Sequence, residues 1–303
     1  MTDFNTRIVV DGNDGTGKTT LVRSLRLLGF RNVHDRGEMT KATDDCTAQP
    51  EPGTIYILLT CPWRTSLERL TRAGRDLSDP YHQPAALAMY EARFLALVKP
   101  FNAKVIVSLF EDQVLMEVVR LLNVPIRLGL PTGRLQYDHP GACLVTRPKT
   151  RLLVDTSTCV PVTGVWIRSK TYPKMVALGS LDVAVVGSDA LEGNPWADMC
   201  EVIERVPQPG LRMCLAAPMS LTLRDTPLLR VATPYPEWAA MVLGEMGKPC
   251  SIFQVDGGSE ALVAAGLADA CFDIVETGET LSDNGLNQRW WFGGVDVCVI
   301  RRR

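Results

Sequence analysis

Asp11-Gly12-Asn13-Asp14-Gly15-Thr16-Gly17-Lys18-Thr19-Thr20 follows the apolar run Ile8-Val9-Val10 and opens an amphipathic segment from Leu21 to Leu28. Gly12, Gly17, Lys18 and Thr19 fit the spacing G-x-x-x-x-G-K-[ST], in the strand-to-helix setting that a phosphate-binding loop needs. Glycines let backbone N–H groups converge on phosphate oxygens, and a helix N-terminus adds favourable partial charge. Lys18 is expected to reach the β- and γ-phosphates and the Thr19 hydroxyl to hold Mg²⁺. Asp14, Gly15 and Thr20 complete the candidate nucleotide-contacting set.

Outward from this loop, strand-like runs at Arg7–Val10, Ile55–Thr60 and Lys104–Ser108 alternate with helical patterns at Lys18–Leu28, Trp63–Ala73, Ala85–Val98 and Asp112–Leu122. That alternation predicts an α/β fold, a parallel sheet with helices on both faces. Ligands in such sheets lie beyond the C-terminal strand ends. After the short run Asn32–His34, Asp35 is a candidate base or metal partner, and Arg36 is a candidate grip on a phosphoryl acceptor. Arg69, Arg72 and Arg75 cluster around Gly74; Arg72 and Arg75 are expected to close over a transferring phosphate, whose spreading charge guanidinium groups stabilise. Tyr90 and Phe94 are expected in the core.

These residues carry a resemblance. D-G-N-D-G-T-G-K-T-T, the Asp35-Arg36 pair, and R-A-G-R-D-L-S-D-P-Y-H followed by Y-E-A-R-F make residues 7–122 similar to thymidylate-kinase-type nucleoside or nucleotide kinases. The resemblance implies phosphoryl transfer from ATP, with Mg²⁺, to a nucleoside, nucleotide or similar acceptor. The region between the first helix and the next long strand, Phe30–Gly53, is much shorter than in that family.

The whole chain has an ordinary globular balance, 46% hydrophobic and 22% charged over 303 residues, which favours two domains. A net charge of −2 gives no basic field, so bulk electrostatics does not indicate nucleic acid. No apolar run approaches the ~20 residues that span a bilayer, and Asp3 interrupts any signal core. Nine cysteines, odd in number and without a C-x-x-C pair, read as reduced cytoplasmic thiols. The three histidines are too dispersed for a dedicated zinc site. Asn123-Val124-Pro125 ends the last helical pattern, so the expected domains are 1–124 and 125–303, with no Ser/Gly-rich tether between them.

The second half carries β-branched runs at Leu152–Val154, Val183–Val186, Met213–Ala216, Arg230–Ala232, Ser251–Val255 and Val295–Ile300. In Glu260–Leu281 a helix, Glu260–Ala265, leads to an apolar strand, Cys271–Val275, and then to the loop Thr277-Gly278-Glu279-Thr280. Hydroxyls and free N–H groups at a strand end make a cradle for a phosphate monoester, and the acid upstream, Asp273 or Glu276, suits ribose hydroxyls. This segment matches E-x5-G-x-[SAG]-x2-[IV]-x-D-[LIV]-x2-[ST]-G-x-T-[LM], except for Cys271 at the [IV] position. With Pro131-x-Gly133-Arg134-Leu135, the block Leu178–Glu192 containing Asp189, and Arg230–Pro236, it makes residues 126–303 similar to the catalytic part of ATP phosphoribosyltransferase, which opens histidine biosynthesis.

That resemblance implies two periplasmic-binding-protein-like lobes, 125–228 with 287–303 and 229–286. It places the 5-phosphate of phosphoribosyl pyrophosphate (PRPP) in Thr277–Thr280, Asp273 and Glu276 at the ribose, and Arg134 and Arg168 against anionic groups. Mg²⁺ would neutralise the departing pyrophosphate. Two departures touch ligand-facing loops. Thr132 replaces the family's lysine, and Arg168-Ser169-Lys170-Thr171-Tyr172-Pro173 lacks the acid of R-P-x-D-I-P. The chain stops at Arg303, so the family's regulatory domain and histidine feedback are not expected. Trp290-Trp291-Phe292 is expected in the core.

Taken together, the sequence reads as a bifunctional enzyme acting on small-molecule nucleotides, with ATP and PRPP as co-substrates, in the manner of a virus-encoded nucleotide pathway. The alternatives are a true ATP phosphoribosyltransferase with an accessory kinase fold, and a nucleotide sensor without turnover. A homodimer is the expected assembly.

Overall fold

The computed structural model describes residues 2–45, 48–108, 110–132, 135, 137–145, 154–156 and 160–303. Its elements are β1 (Ile8–Gly12), α1 (Lys18–Leu27), β2 (Val33–Asp35), α2 (Glu38–Asp44), β3 (Ile55–Thr60), α3 (Trp63–Arg72), α4 (Pro84–Phe101), β4 (Lys104–Val107), α5 (Glu111–Leu122), β5 (Ile126–Pro131), β6 (Val154–Thr156) and β7 (Val162–Ile167). They continue with α6 (Tyr172–Ala177), β8 (Val183–Gly187), β9 (Cys200–Ala217), β10 (Leu229–Thr233), α7 (Pro236–Glu245), β11 (Cys250–Gln254), α8 (Ser259–Ala264), β12 (Ala270–Val275), α9 (Glu279–Asp283) and β13 (Asn287–Arg302).

The chain forms two compact units, residues 1–128 with 138–166, and residues 129–137 with 167–303. The segment 138–166, which a single cut at 124/125 assigns to the second half, thus groups with the first unit. Buried His139 explains part of this grouping. Its Nδ1 accepts from the Gly141 amide at 3.0 Å, which puts the ring proton on Nε2, 3.1 Å from the Leu27 carbonyl at the end of α1.

In the first unit a parallel sheet runs β2-β1-β3-β4. The expected strands and helices are all present. Helix α2 is an addition that seven residues were too few to announce by periodicity. Its Met39 and Ala42 pack with Val9, Tyr56, Leu58, Phe94 and Phe101 in one core. Each large side chain buried there contributes roughly 2–3 kcal/mol, against at most ~1 kcal/mol for an exposed ion pair. Phe94 is buried as expected, but Tyr90 is only half-buried and stacks on Tyr81, with ring centroids 5.7 Å apart.

In the second unit the sheet runs β11-β10-β12-β9-β13-β8, and in the first unit β6 pairs antiparallel with β7. Alternation along these strands feeds two cores. Met213, Leu215 and Ala217 of β9 join Leu229, Val231, Ala270 and Phe272 on one face, while Cys214 and Ala216 join Ala232, Cys271 and Val275 on the other. A strand buried on both faces reads as an unbroken apolar run, which is why the sequence marks these strands so clearly. Cys271, the one mismatch to the motif, lies fully buried in the second core, where desolvation pushes its thiol up to about 12.

Two strands are far longer than their apolar runs. β9 and β13 pair antiparallel over most of their lengths, with register shifts near Gly294 and between Gln288 and Trp290. Such bulges bend a strand without ending it, so hydrophobic patterning lapses where pairing continues. Trp290 and Phe292 pack on the first of these cores, but Trp291 is 44% exposed and lies beneath the Arg212 guanidinium, which corrects its expected burial.

Candidate functional sites

In the second unit, the turn after β12 and the loop before α8 frame a cavity of about 580 Å³. Asp189, Tyr235, Asp273, Glu276, Thr277, Gly278, Glu279 and Thr280 all line it. The sequence suggested a plain loop at 277–280; instead Gly278 adopts a left-handed N-cap (φ 82°), and Glu279 and Thr280 begin the short helix α9. Thr277 and Thr280 are exposed on the cavity side, with the Thr277 hydroxyl 3.4 Å from the Glu279 amide.

Asp273 is held rather than free. Its Oδ2 accepts from the Ser259 hydroxyl at 2.9 Å and its Oδ1 from the Ile274 amide at 2.7 Å. Burial nonetheless pushes its carboxyl above the ordinary range, with the hydrogen bonds and Lys170 opposing. Asp189, just past β8, is raised by burial in the same way, while a hydrogen bond from Tyr235 and the charge of Lys170 pull it down. Motif reading quoted Tyr235, Ser259 and Lys170 within family-like blocks but gave them no site role, because each acts through a partner distant in sequence.

Arg168 is not among the cavity-lining residues; its Nη1 donates to the Asp256 carbonyl at 2.8 Å. Arg134 lies outside the described residues. Asp189 and Asp273 are hard oxygen donors of the kind Mg²⁺ takes, but among the described residues no group of three or more His, Cys, Asp or Glu side chains is placed to hold a metal ion.

In the first unit, the loop of residues 12–18 joins β1 to α1. Gly12 (φ 141°), Gly15 and Gly17 occupy positive φ; a Cβ on Gly12 would stand 2.2 Å from the Leu59 carbonyl oxygen, so the loop passes hard against β3. Lys18 is buried. Its Nζ donates to the Asn13 carbonyl at 2.7 Å and lies 3.6 Å from Asp14, and desolvation holds its pKa below the usual lysine value. Asp14 also receives Arg36 at 3.0 Å. The Thr19 hydroxyl donates to Asp35 at 3.2 Å, which pairs the two candidate Mg²⁺ contacts of this half, although Asp35 itself is not a lining residue of the cavity beside the loop.

That cavity, about 930 Å³, is lined by Asp14, Gly15, Gly17, Lys18, Thr19, Thr20, Arg36, Arg72 and Arg75, so the dispersed arginines do converge. Gly12 lines a neighbouring cavity with Tyr81, Tyr90 and Phe94. Arg69 is structural: its guanidinium bonds the Gly15 carbonyl (3.3 Å), the Ser108 hydroxyl (3.1 Å) and the Ser108 carbonyl (2.9 Å), tying α3 to the loop. Asp11 is also missed as a site-builder. Its Oδ1 takes the Gly37 and Thr40 amides and the Thr40 hydroxyl, while its buried Oδ2 has no partner among the described residues.

The second unit is thus an α/β fold whose cavity combines buried carboxylates with a hydroxyl-rich glycine turn, the equipment of a protein that handles sugar phosphates. Residues 168–292, all within that unit, match the family model described as HisG: ATP phosphoribosyltransferase. An ATP phosphoribosyltransferase from Alkaliphilus metalliredigens is 32% identical over 182 residues, covering 59% of this chain and 78% of that protein. Another from Bacillus cereus strain B4264 is 31% identical over 169 residues, covering 53% and 79%. A solved structure, the ATP phosphoribosyl transferase (HisG:HisZ) complex from Thermotoga maritima, is 23% identical with a TM-score of 0.48, covering 58% of this chain and 87% of that one. The chain belongs to the ATP phosphoribosyltransferase family. No residue of 1–166 lies in the matched range, so the family favours the plain transferase reading over a bifunctional enzyme.

Proposed function

We propose that the protein transfers the 5-phosphoribosyl group of PRPP to ATP. The observation that carries this reading is the convergence of Asp189, Asp273 and the Thr277–Thr280 turn on one cavity, inside the stretch that matches the family. The hydroxyls of Thr277 and Thr280, with the amides of the turn, hold the 5-phosphate. Asp273, fixed by Ser259, faces the ribose, with Glu276 beside it. As the anomeric C–O bond breaks, positive charge grows on the sugar, and a preoriented carboxylate stabilises it without reorganising. The pair of electrons leaves with pyrophosphate, and an adenine nitrogen forms the new bond to the anomeric carbon. Mg²⁺, when bound, neutralises pyrophosphate charge. Incubation with ATP and PRPP should produce the absorbance of phosphoribosyl-ATP; its absence at protein-stoichiometric concentrations would refute the assignment.

A second function belongs to the first unit, and the packing of Lys18, Thr19, Arg36, Arg72 and Arg75 around one cavity favours it. This unit binds a nucleoside triphosphate with its phosphates on the loop of residues 12–18, and passes a phosphoryl group to a nucleotide-like acceptor held near Tyr81 and Tyr90. A screen of nucleosides and nucleotides with ATP and Mg²⁺, read by mass spectrometry, should reveal a phosphorylated product that Lys18→Ala abolishes. A nucleotide sensor would give binding and no product.

A further inference from the structure

A further cavity of about 560 Å³ lies in the first unit, beside the one at the glycine loop. The two share Gly17, Thr20, Arg69, Glu111 and Asp112, so they adjoin at the start of α1. On its other side the loop cavity shares Asp14, Lys18, Arg36, Arg75 and His82 with the cavity of Tyr81 and Tyr90. Three cavities therefore stand in a row. One wall of the further cavity is made by Asp138, Pro140, Ala142 and Cys143, from the turn between β5 and β6. This turn lies outside residues 7–122, which carry the kinase-like motifs, and outside the family match of residues 168–292.

We infer that this cavity is the base subsite of the first unit's nucleotide site, and that the turn of residues 138–143 selects an amino-bearing purine. The inference rests on the nucleotide reading of that unit, which puts phosphates on the loop of residues 12–18.

The direction of a bound triphosphate follows from where the cations stand. Lys18, Arg36 and Arg75 border both the loop cavity and the cavity of Tyr81 and Tyr90, so the γ-phosphate, which a loop lysine reaches, points that way. The nucleoside end then leaves past Gly17 and Thr20, where the further cavity begins. Leu21 of α1, Leu115 of α5, Pro140 and Ala142 give that cavity apolar surface on which a flat base can lie. Asp112 of α5 and Asp138 of the turn supply its polar edge. A carboxylate only accepts hydrogen bonds, so it matches the amino group of adenine or guanine and opposes the paired carbonyl oxygens of uracil or thymine. The turn is also fixed relative to the phosphate loop. Buried His139 bonds the Leu27 carbonyl at the end of α1, the helix that the loop begins, and the Gly141 amide. The Ala142 amide donates to the His139 carbonyl at 2.8 Å, and a Cβ on Gly141 would stand 2.8 Å from the Leu28 and Leu128 side chains. A turn so packed is preorganised, and a ligand pays little to order it.

Equilibrium dialysis of the full chain with Mg²⁺ tests this by comparing ATP, UTP and inorganic tripolyphosphate, which lacks both base and ribose. Wild type should bind ATP more tightly than either competitor, by about tenfold or more. Ala142→Phe, which fills the cavity with a ring, should shrink the advantage of ATP over tripolyphosphate by about tenfold. Asp138→Asn, whose amide can donate to a carbonyl, should narrow the preference for ATP over UTP by about threefold. The unmodified protein offers a second readout. Cys143 is exposed and lines the cavity, with its thiol pushed up to about 11 by burial. Its alkylation at alkaline pH, followed by peptide mass spectrometry, should be slowed by ATP and not by tripolyphosphate.

Equal wild-type affinities for ATP and tripolyphosphate would overturn the subsite and leave the phosphate loop standing. An Ala142→Phe protein that loses both ligands equally, or keeps its full preference for ATP, would overturn it as well. A wild-type protein that binds neither ligand sinks the nucleotide reading and the subsite together. Should Ala142→Phe not fold, the Cys143 reaction decides: alkylation as fast with ATP as with tripolyphosphate counts against the inference.

Discussion

At the scale of single residues, the proposed transferase role gives most weight to Asp273, a cavity-lining carboxyl made less acidic by burial and held by Ser259 and its neighbour's amide. Asp273→Asn keeps the shape and removes the charge. It should lower kcat/KM by about 10²-fold or more while leaving thermal stability near wild type, since a preoriented charge at the reacting sugar is worth a few kcal/mol. Steady-state kinetics beside a thermal melt checks both halves of that statement. Lys18 presents the opposite sign: its ammonium is buried, so burial lowers its pKa and the folded chain holds the proton less tightly than the unfolded one. Stability should therefore rise with pH through the window between the lowered folded pKa and the ordinary 10.5. Lys18→Met should lose that slope in alkaline denaturation curves and, separately, weaken ATP binding in equilibrium dialysis.

At the scale of elements, short structures owe their existence to ties from elsewhere. Helix α2 has seven residues, too few to persist alone. Asp11 of β1 caps its start through the Gly37 and Thr40 amides, and Arg7 grips Glu38 with two nitrogens, at 2.9 and 3.2 Å. Arg7 holds the Glu38 carboxyl down at about 2, against an ordinary 4.5. A lowered acid contributes stability that is complete above the ordinary value and fades as pH falls toward the folded one. Part-exposure of Arg7 (25%) screens the pair, so about 2 kcal/mol is at stake rather than the full shift. Arg7→Met should lose that stability at neutral pH, and its acid-unfolding curve should converge with wild type only as pH falls to about 2. The loop between β1 and α1 is as tightly determined. Gly12→Ala would drive a methyl into the Leu59 carbonyl oxygen, and backbone cannot step aside as a side chain can. A loss of roughly 3 kcal/mol or more is expected, visible as a lowered urea midpoint.

At the scale of the whole molecule, the two cavities lie in two units, and each unit completes its own cavity wall. Thr280→Ala should therefore reduce PRPP consumption and spare nucleotide binding at Lys18, and Lys18→Ala should do the converse. Parallel assays of both variants test this, and a joint loss would mean that the two sites are not separate. The sequence by itself determined the elements whose signal is local: the glycine loop between β1 and α1, the doubly buried apolar strands, and the glycine turn with its hydroxyls after β12. In these the residue types needed for the backbone path are also those that mark it, as with Gly12 and Gly278 at positive φ. Only the tertiary structure decided that Arg69, which lines the cavity with Arg72 and Arg75, also braces the loop, and that His139 ties the segment around it to the end of α1. It alone brought Lys170 over Tyr235, 65 positions apart in sequence. Burial, hydrogen-bond partners and the charge a carboxylate feels are properties of neighbours in space, and no spacing along the chain encodes them.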